Sequence, residues 1–148
     1  MRLTLVQPAM GRRPGARYLR SWQMEPLGIA ALAGLTPPGV TISFDDDRME
    51  AIAFDRPADL VAIPVETYTA RRAYQIASEF RRRRVPVVMG GFHATLLPEE
   101  VSRHAESVVV GEAENVWPQV IEDARGGRLR PLYRADDAPD LSTIRYDR

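Results

Sequence analysis

The chain has 148 residues, a length that suits one domain and buries roughly 70% of the surface its unfolded form exposes. Twenty basic residues balance twenty acidic ones, so no long-range field selects nucleic acid or an anionic membrane as partner. Every basic residue is arginine, which excludes Schiff-base and phosphate-loop lysines; the lack of cysteine excludes disulfides, thiolate zinc sites and iron–sulfur ligation within this chain.

In chain order, the run Leu3 to Val6 predicts a first strand, and its apolar part is too short for a signal peptide. No later run approaches the ~20 apolar residues that span a bilayer, so a cytoplasmic location is the expectation. A first helix around Pro26 to Leu35 is apolar almost all round and should be covered on more than one side. Val40 to Phe44 reads as the second strand, Arg48 to Ala53 as a turn or two of helix, and Leu60 to Ile63 as the third strand. The clearest helix follows, with Ala73, Ile76, Ala77 and Phe80 at i, i+3, i+4, i+7. It ends in Arg81 to Arg84 before Pro86, a solvated cationic last turn that complements the helix dipole. Val87 to Met89 and Val108 to Val110 complete five strands. A last helix carries Trp117, Val120, Ile121 and Ala124, with Pro118 in its first turn and Gly126-Gly127 at its end.

Strands alternating with helices predict a three-layer, doubly wound, five-stranded parallel α/β sheet of flavodoxin-like or Rossmann-like type. The expected domain is 1–127, with 128–148 as a linker.

In such sheets ligands bind beyond the carboxyl ends of the strands. The candidate segments are therefore Gln7 to Arg13, Asp45 to Arg48, Pro64 to Thr67, Gly90 to His93 and Gly111 to Glu114. Gly11-Arg-Arg-Pro-Gly15 is not a dinucleotide fingerprint, which argues against NAD or FAD. A receiver domain needs an aspartate ending the third strand and a lysine ending the fifth; both are missing. Gln7-Pro8-Ala9-Met10 lacks the hydroxyls of a flavodoxin phosphate loop. Gly90-Gly91 either opens a groove for a flat ligand or makes a tight turn. A lone His93 seldom makes a metal site, and His104 reads as surface. Asp45, Asp46 and Asp47 suit turn capping or a magnesium ion. Glu112 and Glu114 either meet a ligand amide or favour the start of the last helix.

Taken together, Asp59-Leu-Val-Ala-Ile63, Gly90-Gly-Phe-His-Ala-Thr95, Pro98-Glu-Glu100, Val110-Gly-Glu-Ala-Glu114 and Trp117-Pro118 resemble the amino-terminal cobalamin-binding domain of radical S-adenosylmethionine enzymes. Arg128 to Tyr133 and Pro139 to Ser142 are similar to that family's passage into its catalytic barrel. The resemblance implies bound cobalamin, with its nucleotide tail entering near the third and fourth strand ends and its corrin ring over the carboxyl edge. The implied cofactor-binding residues are Pro8, Met10, Gly11, Pro64, Val65, Glu66, Thr67, Gly90, Gly91, Phe92, His93, Gly111, Glu112, Ala113 and Glu114, with no catalytic residue and no metal ligand. It also implies a radical catalytic domain in cis, following Arg148 and holding S-adenosylmethionine and a 4Fe-4S cluster, in an enzyme of methyltransferase or cyclase type. Many cobalamin domains carry D-x-H-x-x-G after the first strand; this chain does not, so a base-off cobalamin without a protein histidine ligand is implied. A cofactor-free docking or substrate-recognition domain using the apolar first helix and the Trp22 to Leu27 segment is the alternative, and a free-standing small-molecule binder a third reading.

Overall fold

The computed structural model describes residues 1–10 and 24–140. Six strands form one parallel sheet: β1 (Arg2–Gln7), β2 (Thr41–Asp46), β3 (Leu60–Pro64), β4 (Val87–Gly90), β5 (Ser107–Val110) and β6 (Leu132–Arg134), in the order β2-β1-β3-β4-β5-β6. The chain runs outward from β1 to β2, returns across β1 to β3 and then continues in one direction. Helices α1 (Leu27–Leu35) and α5 (Trp117–Arg125) cover one face of the sheet; α2 (Ala70–Arg82), α3 (Phe92–Leu96) and α4 (Pro98–Val101) cover the other. This is the expected doubly wound α/β architecture.

Both faces of the sheet are buried at its centre, so β1, β3, β4 and β5 read as nearly unbroken buried runs rather than alternating ones. Leu3, Leu5, Leu60, Ala62, Val88 and Val109 meet α1 and α5, while Val6, Val61, Ile63, Met89 and Val108 meet the α2 side. Helix α2 buries the predicted Ala73, Ile76, Ala77 and Phe80. Its arginine run is solvated and ion-paired, Arg81 to Glu106 and both Arg82 and Arg83 to Glu79, before Arg84 turns the chain at φ +60°. Pro118 stands in the first turn of α5, and Gly126 and Gly127 end it. Among the described residues no helix is long and apolar enough to cross a membrane.

Two expectations are corrected. Arg48 to Ala53 forms a turn, not a helix, because Asp46 holds it: its Oδ1 accepts from the Arg48 N–H at 3.0 Å, and its carbonyl accepts from Met49 and Glu50 at 2.9 and 3.0 Å. Beyond that turn, Ile52 is buried and Phe54 lies 5.1 Å from the Phe80 ring, so this apolar loop takes the place of a crossover helix. Between β4 and β5 stand two short helices separated at Leu97, with Pro98 opening the second.

The second correction is the sheet itself, which has six strands rather than five and draws part of the predicted linker into the fold. Three residues are too few to show a period of two, and only Tyr133 of β6 points inward. The Tyr133 hydroxyl donates to the buried Asp123 carboxylate at 2.9 Å, and Arg130 pairs with the same carboxylate at 3.0 Å. The Tyr133 hydrogen bond, with help from Gln119 and the nearby arginines, holds the Asp123 carboxyl below the usual range. Tyr133→Phe should therefore lower the denaturant midpoint at neutral pH with an unchanged m value. Because the folded-state pKa of Asp123 is depressed, that contribution is present above its unfolded value of about 3.9 and fades as the pH falls through the folded value. Denaturation curves of both proteins at neutral and acid pH should show the gap between them closing in acid.

Candidate functional site

The carboxyl edge of the sheet is shaped by a close approach of two backbones. Val65 donates its N–H to Gly90 O at 2.8 Å, and His93 donates its N–H to Val65 O at 2.9 Å, so the turn after β4 is strapped to the turn after β3. Gly91 sits between these bonds at φ +95°, and a Cβ there would stand 3.0 Å from Val65 N and 3.1 Å from Val65 O. Gly111, at φ +84°, is more tightly confined: its Cβ would lie 2.5 Å from Ala135 O. Both glycines are required by the turns themselves.

With the turns drawn back, a cleft of about 140 Å³ opens at this edge, between the sheet and α1. Ala62, Val88 and Val109 project into it from the sheet, Ile29 and Leu32 from α1, and Trp117 from α5. Pro64, Gly90, Gly111 and the 3-10 turn Ala113–Asn115 border it, with Glu112 and Glu114 at the rim. Gly28, in the first turn of α1, also faces the cleft, and a Cβ added there would find no heavy atom within 4 Å. At Gly90 a Cβ would just touch Val109, at 3.4 Å. The cleft is thus apolar inside, with side-chain-free positions on two of its walls. Ligand pockets for drug-sized molecules usually measure ~300–1,000 Å³, so this one admits a flat arm of a larger molecule that otherwise lies outside. The surrounding edge is apolar as well, with Met24, Leu27 and Phe92 each more than half exposed.

The family model for the B12 binding domain matches residues 22–121. The chain belongs to the B12-binding domain family. It is 40% identical over 119 residues to a bacteriochlorophyllide d C-8(2)-methyltransferase of Chlorobaculum tepidum, an alignment that takes in 80% of this chain and 26% of that protein. It is 32% identical over 121 residues to a bacteriochlorophyllide d C-12(1)-methyltransferase of the same organism, again 80% of this chain and 26% of the relative. The chain thus spans about a quarter of the length of these curated relatives. No solved structure matches it.

Within this B12-binding domain, the cleft gathers Pro64, Gly90, Gly91, Gly111, Glu112, Ala113 and Glu114 from among the residues singled out in the sequence. Others stand apart from it. Pro8, directly after β1, is buried, Met10 is exposed, and Gly11 and Trp22 lie outside the described residues. Val65 is fully buried beneath Gly91, and the Glu66 N–H donates to Thr69 Oγ1 at 3.0 Å in the turn into α2. Phe92 is 62% exposed beside the cleft.

His93 is turned to the opposite face, buried, with Nδ1 3.2 Å from Thr67 Oγ1 and Nε2 3.4 Å from Glu100 Oε1. Tyr74 donates to the same Glu100 oxygen at 2.9 Å and stacks on His104 at 3.9 Å, so His104 is a half-buried packing partner rather than free surface. Burial, then the bond to Glu100, pushes the Tyr74 hydroxyl upward, while Tyr74 and then His93 hold the Glu100 carboxyl low. This network ties α2, α4 and the β3–α2 turn together behind the sheet. The aspartates at the end of β2 and just beyond it are each engaged by an arginine: Asp45 by Arg56 at 2.8 Å, Asp46 by Arg48 at 2.7 Å and Asp47 by Arg72 at 2.7 Å.

Sequence reasoning missed the inner lining, Gly28, Ile29, Leu32, Val88, Val109 and Trp117, because each looks like ordinary core. Gly28 carried a signal, since a glycine inside a helix costs up to about 1 kcal/mol relative to alanine and needs a reason. Accordingly, Gly91→Ala and Gly111→Ala should each destabilise the domain by more than about 1 kcal/mol. Gly28→Ala should leave stability unchanged or raise it, all three being read from chemical denaturation.

Proposed function

We propose that the chain is the cobalamin-carrying domain of a radical S-adenosylmethionine methyltransferase that acts on a tetrapyrrole. The observation that carries this reading is the apolar, glycine-walled cleft at the carboxyl edge of a B12-binding domain. The nucleotide tail of cobalamin enters between α1 and the ends of β3, β4 and β5, and the corrin ring lies over the edge against Met24, Leu27 and Phe92. The residues present fit such a group: a flat aromatic tail needs an apolar slot of about this size, and Gly28 and Gly90 leave its walls free of side chains. When bound, cobalamin supplies the methyl-transfer chemistry; the protein binds it, orients it and keeps water from the tail.

The chain has two histidines, and neither reaches the cleft: His93 faces the other side of the sheet and His104 stacks on Tyr74. That supports a base-off cobalamin without a histidine ligand from this domain. The bacteriochlorophyllide methyltransferases similar to this chain support a tetrapyrrole as the parent's substrate. The catalytic domain, with its S-adenosylmethionine and 4Fe-4S cluster, lies beyond Arg148 in this reading, and the domain described here does not turn over alone.

Titration with hydroxocobalamin and then its reduced form tests the proposal. Retention of about one cobalt per chain through gel filtration, with a base-off visible spectrum, is expected. Absence of retention in both redox states by a folded sample would favour the cofactor-free docking reading. Gly28→Leu should keep the fold, because its side chain enters open space, and should lose cobalamin at least tenfold in affinity by filling the slot. Wild-type affinity in that variant would place the tail elsewhere.

A further inference from the structure

We infer that the cleft selects among cobamides by the chemistry of their lower base, accepting benzimidazole and phenolic bases and discriminating against purines. The inference rests on the cobalamin reading above and adds a specificity to it.

The inner wall is made by Ala62, Val88 and Val109 from the sheet, Ile29 and Leu32 from α1, and Trp117 from α5. Five of these side chains are hydrocarbon. The sixth, Trp117, has one polar atom, and it is already engaged: Nε1 donates to Thr36 Oγ1 at 2.9 Å. That hydroxyl in turn donates to Leu32 O at 2.6 Å, so the indole N–H is already paired and no side chain of the inner wall aims a free donor or acceptor into the slot. The polar side chains that border the cleft, Glu112 and Glu114, stand at its rim and not in its depth: Glu112 is exposed and Glu114 half-buried, whereas Val88, Val109 and Trp117 are buried.

A base tethered to ribose through one edge enters such a slot with its opposite edge leading. In benzimidazole and cresol that leading edge carries carbon, hydrogen or methyl groups. In adenine it carries a ring nitrogen and an exocyclic amine, which lose water on entry and find no partner. A buried polar group left unpaired weakens binding by between about tenfold and a hundredfold. The volume agrees with a small aromatic guest: about 140 Å³ here, against an apolar cavity of ~150 Å³ that stays dry and binds benzene.

The test compares four corrinoids on the full chain: cobalamin, a p-cresolyl cobamide, an adeninyl cobamide and cobinamide, which has no nucleotide tail. Dissociation constants come from spectroscopic titration and retained cobalt, without reference to catalysis. Cobalamin and the cresolyl form should bind within a fewfold of each other, and the adeninyl form and cobinamide at least tenfold more weakly. Equal affinity for adeninyl cobamide and cobalamin would overturn the proposed selectivity and leave cobalamin binding standing. Equal affinity for cobinamide would overturn it by showing that the tail contributes nothing. Failure of all four to bind would remove the cobalamin reading, and this inference with it.

Discussion

Backbone meets backbone at Gly91 and Val65, and the carboxyl edge of the sheet depends on that contact. Two hydrogen bonds, Val65 N–H to Gly90 O and His93 N–H to Val65 O, require the turn after β4 to lie directly on the turn after β3. A side chain at Gly91 would occupy the space of the Val65 peptide, and its φ of +95° is one that side-chain-bearing residues rarely adopt. With that contact in place, the chain after Gly91 leaves toward α3 on one face of the sheet, and the opposite face is left open near Gly90. The contact therefore shapes both the turn and the cleft, and the two glycines, adjacent in sequence, do different work.

That division separates the chemistry of the two faces. On the α2 side the edge is polar and interlocked: His93, Thr67, Glu100, Tyr74 and His104 form one network, and Asp45 and Asp47 hold arginines from the β2–β3 loop and α2. On the α1 side the edge is apolar and open, bounded by hydrocarbon and by Gly28, where an added Cβ would meet no heavy atom within 4 Å. Paired charges and hydrogen-bonded rings contribute fixed shape, whereas an open apolar slot is free to take a ligand.

Much of the fold was legible in the sequence because burial on both faces gives unambiguous strand runs, and because α2 has a strict period with Phe80 and Ile76 on one side and arginines on the other. Where local chemistry outweighed pattern, the reading failed. Asp46 capping its own turn replaced a short helix, and β6 was too short to show alternation, although Tyr133 two residues after Pro131 was the inward residue that anchors it. The candidate site was legible as a set of strand ends, since topology alone places ligands there. Its depth was not, because Val88, Val109 and Trp117 are indistinguishable from core until α1 is seen to stand away from them at Gly28. His93 lies two residues beyond Gly91, within α3 on the α2 face, so proximity to Gly91 in sequence does not bring its ring to the cleft.

The most direct measurement is a crystal structure of this chain with cobalamin bound. The account predicts the lower base detached from cobalt and inserted between α1 and the sheet, against Val88, Val109 and Trp117, with the corrin ring over the edge beside Phe92. A corrinoid bound elsewhere, or one bound at this edge with its base still on cobalt and the slot empty, would contradict it.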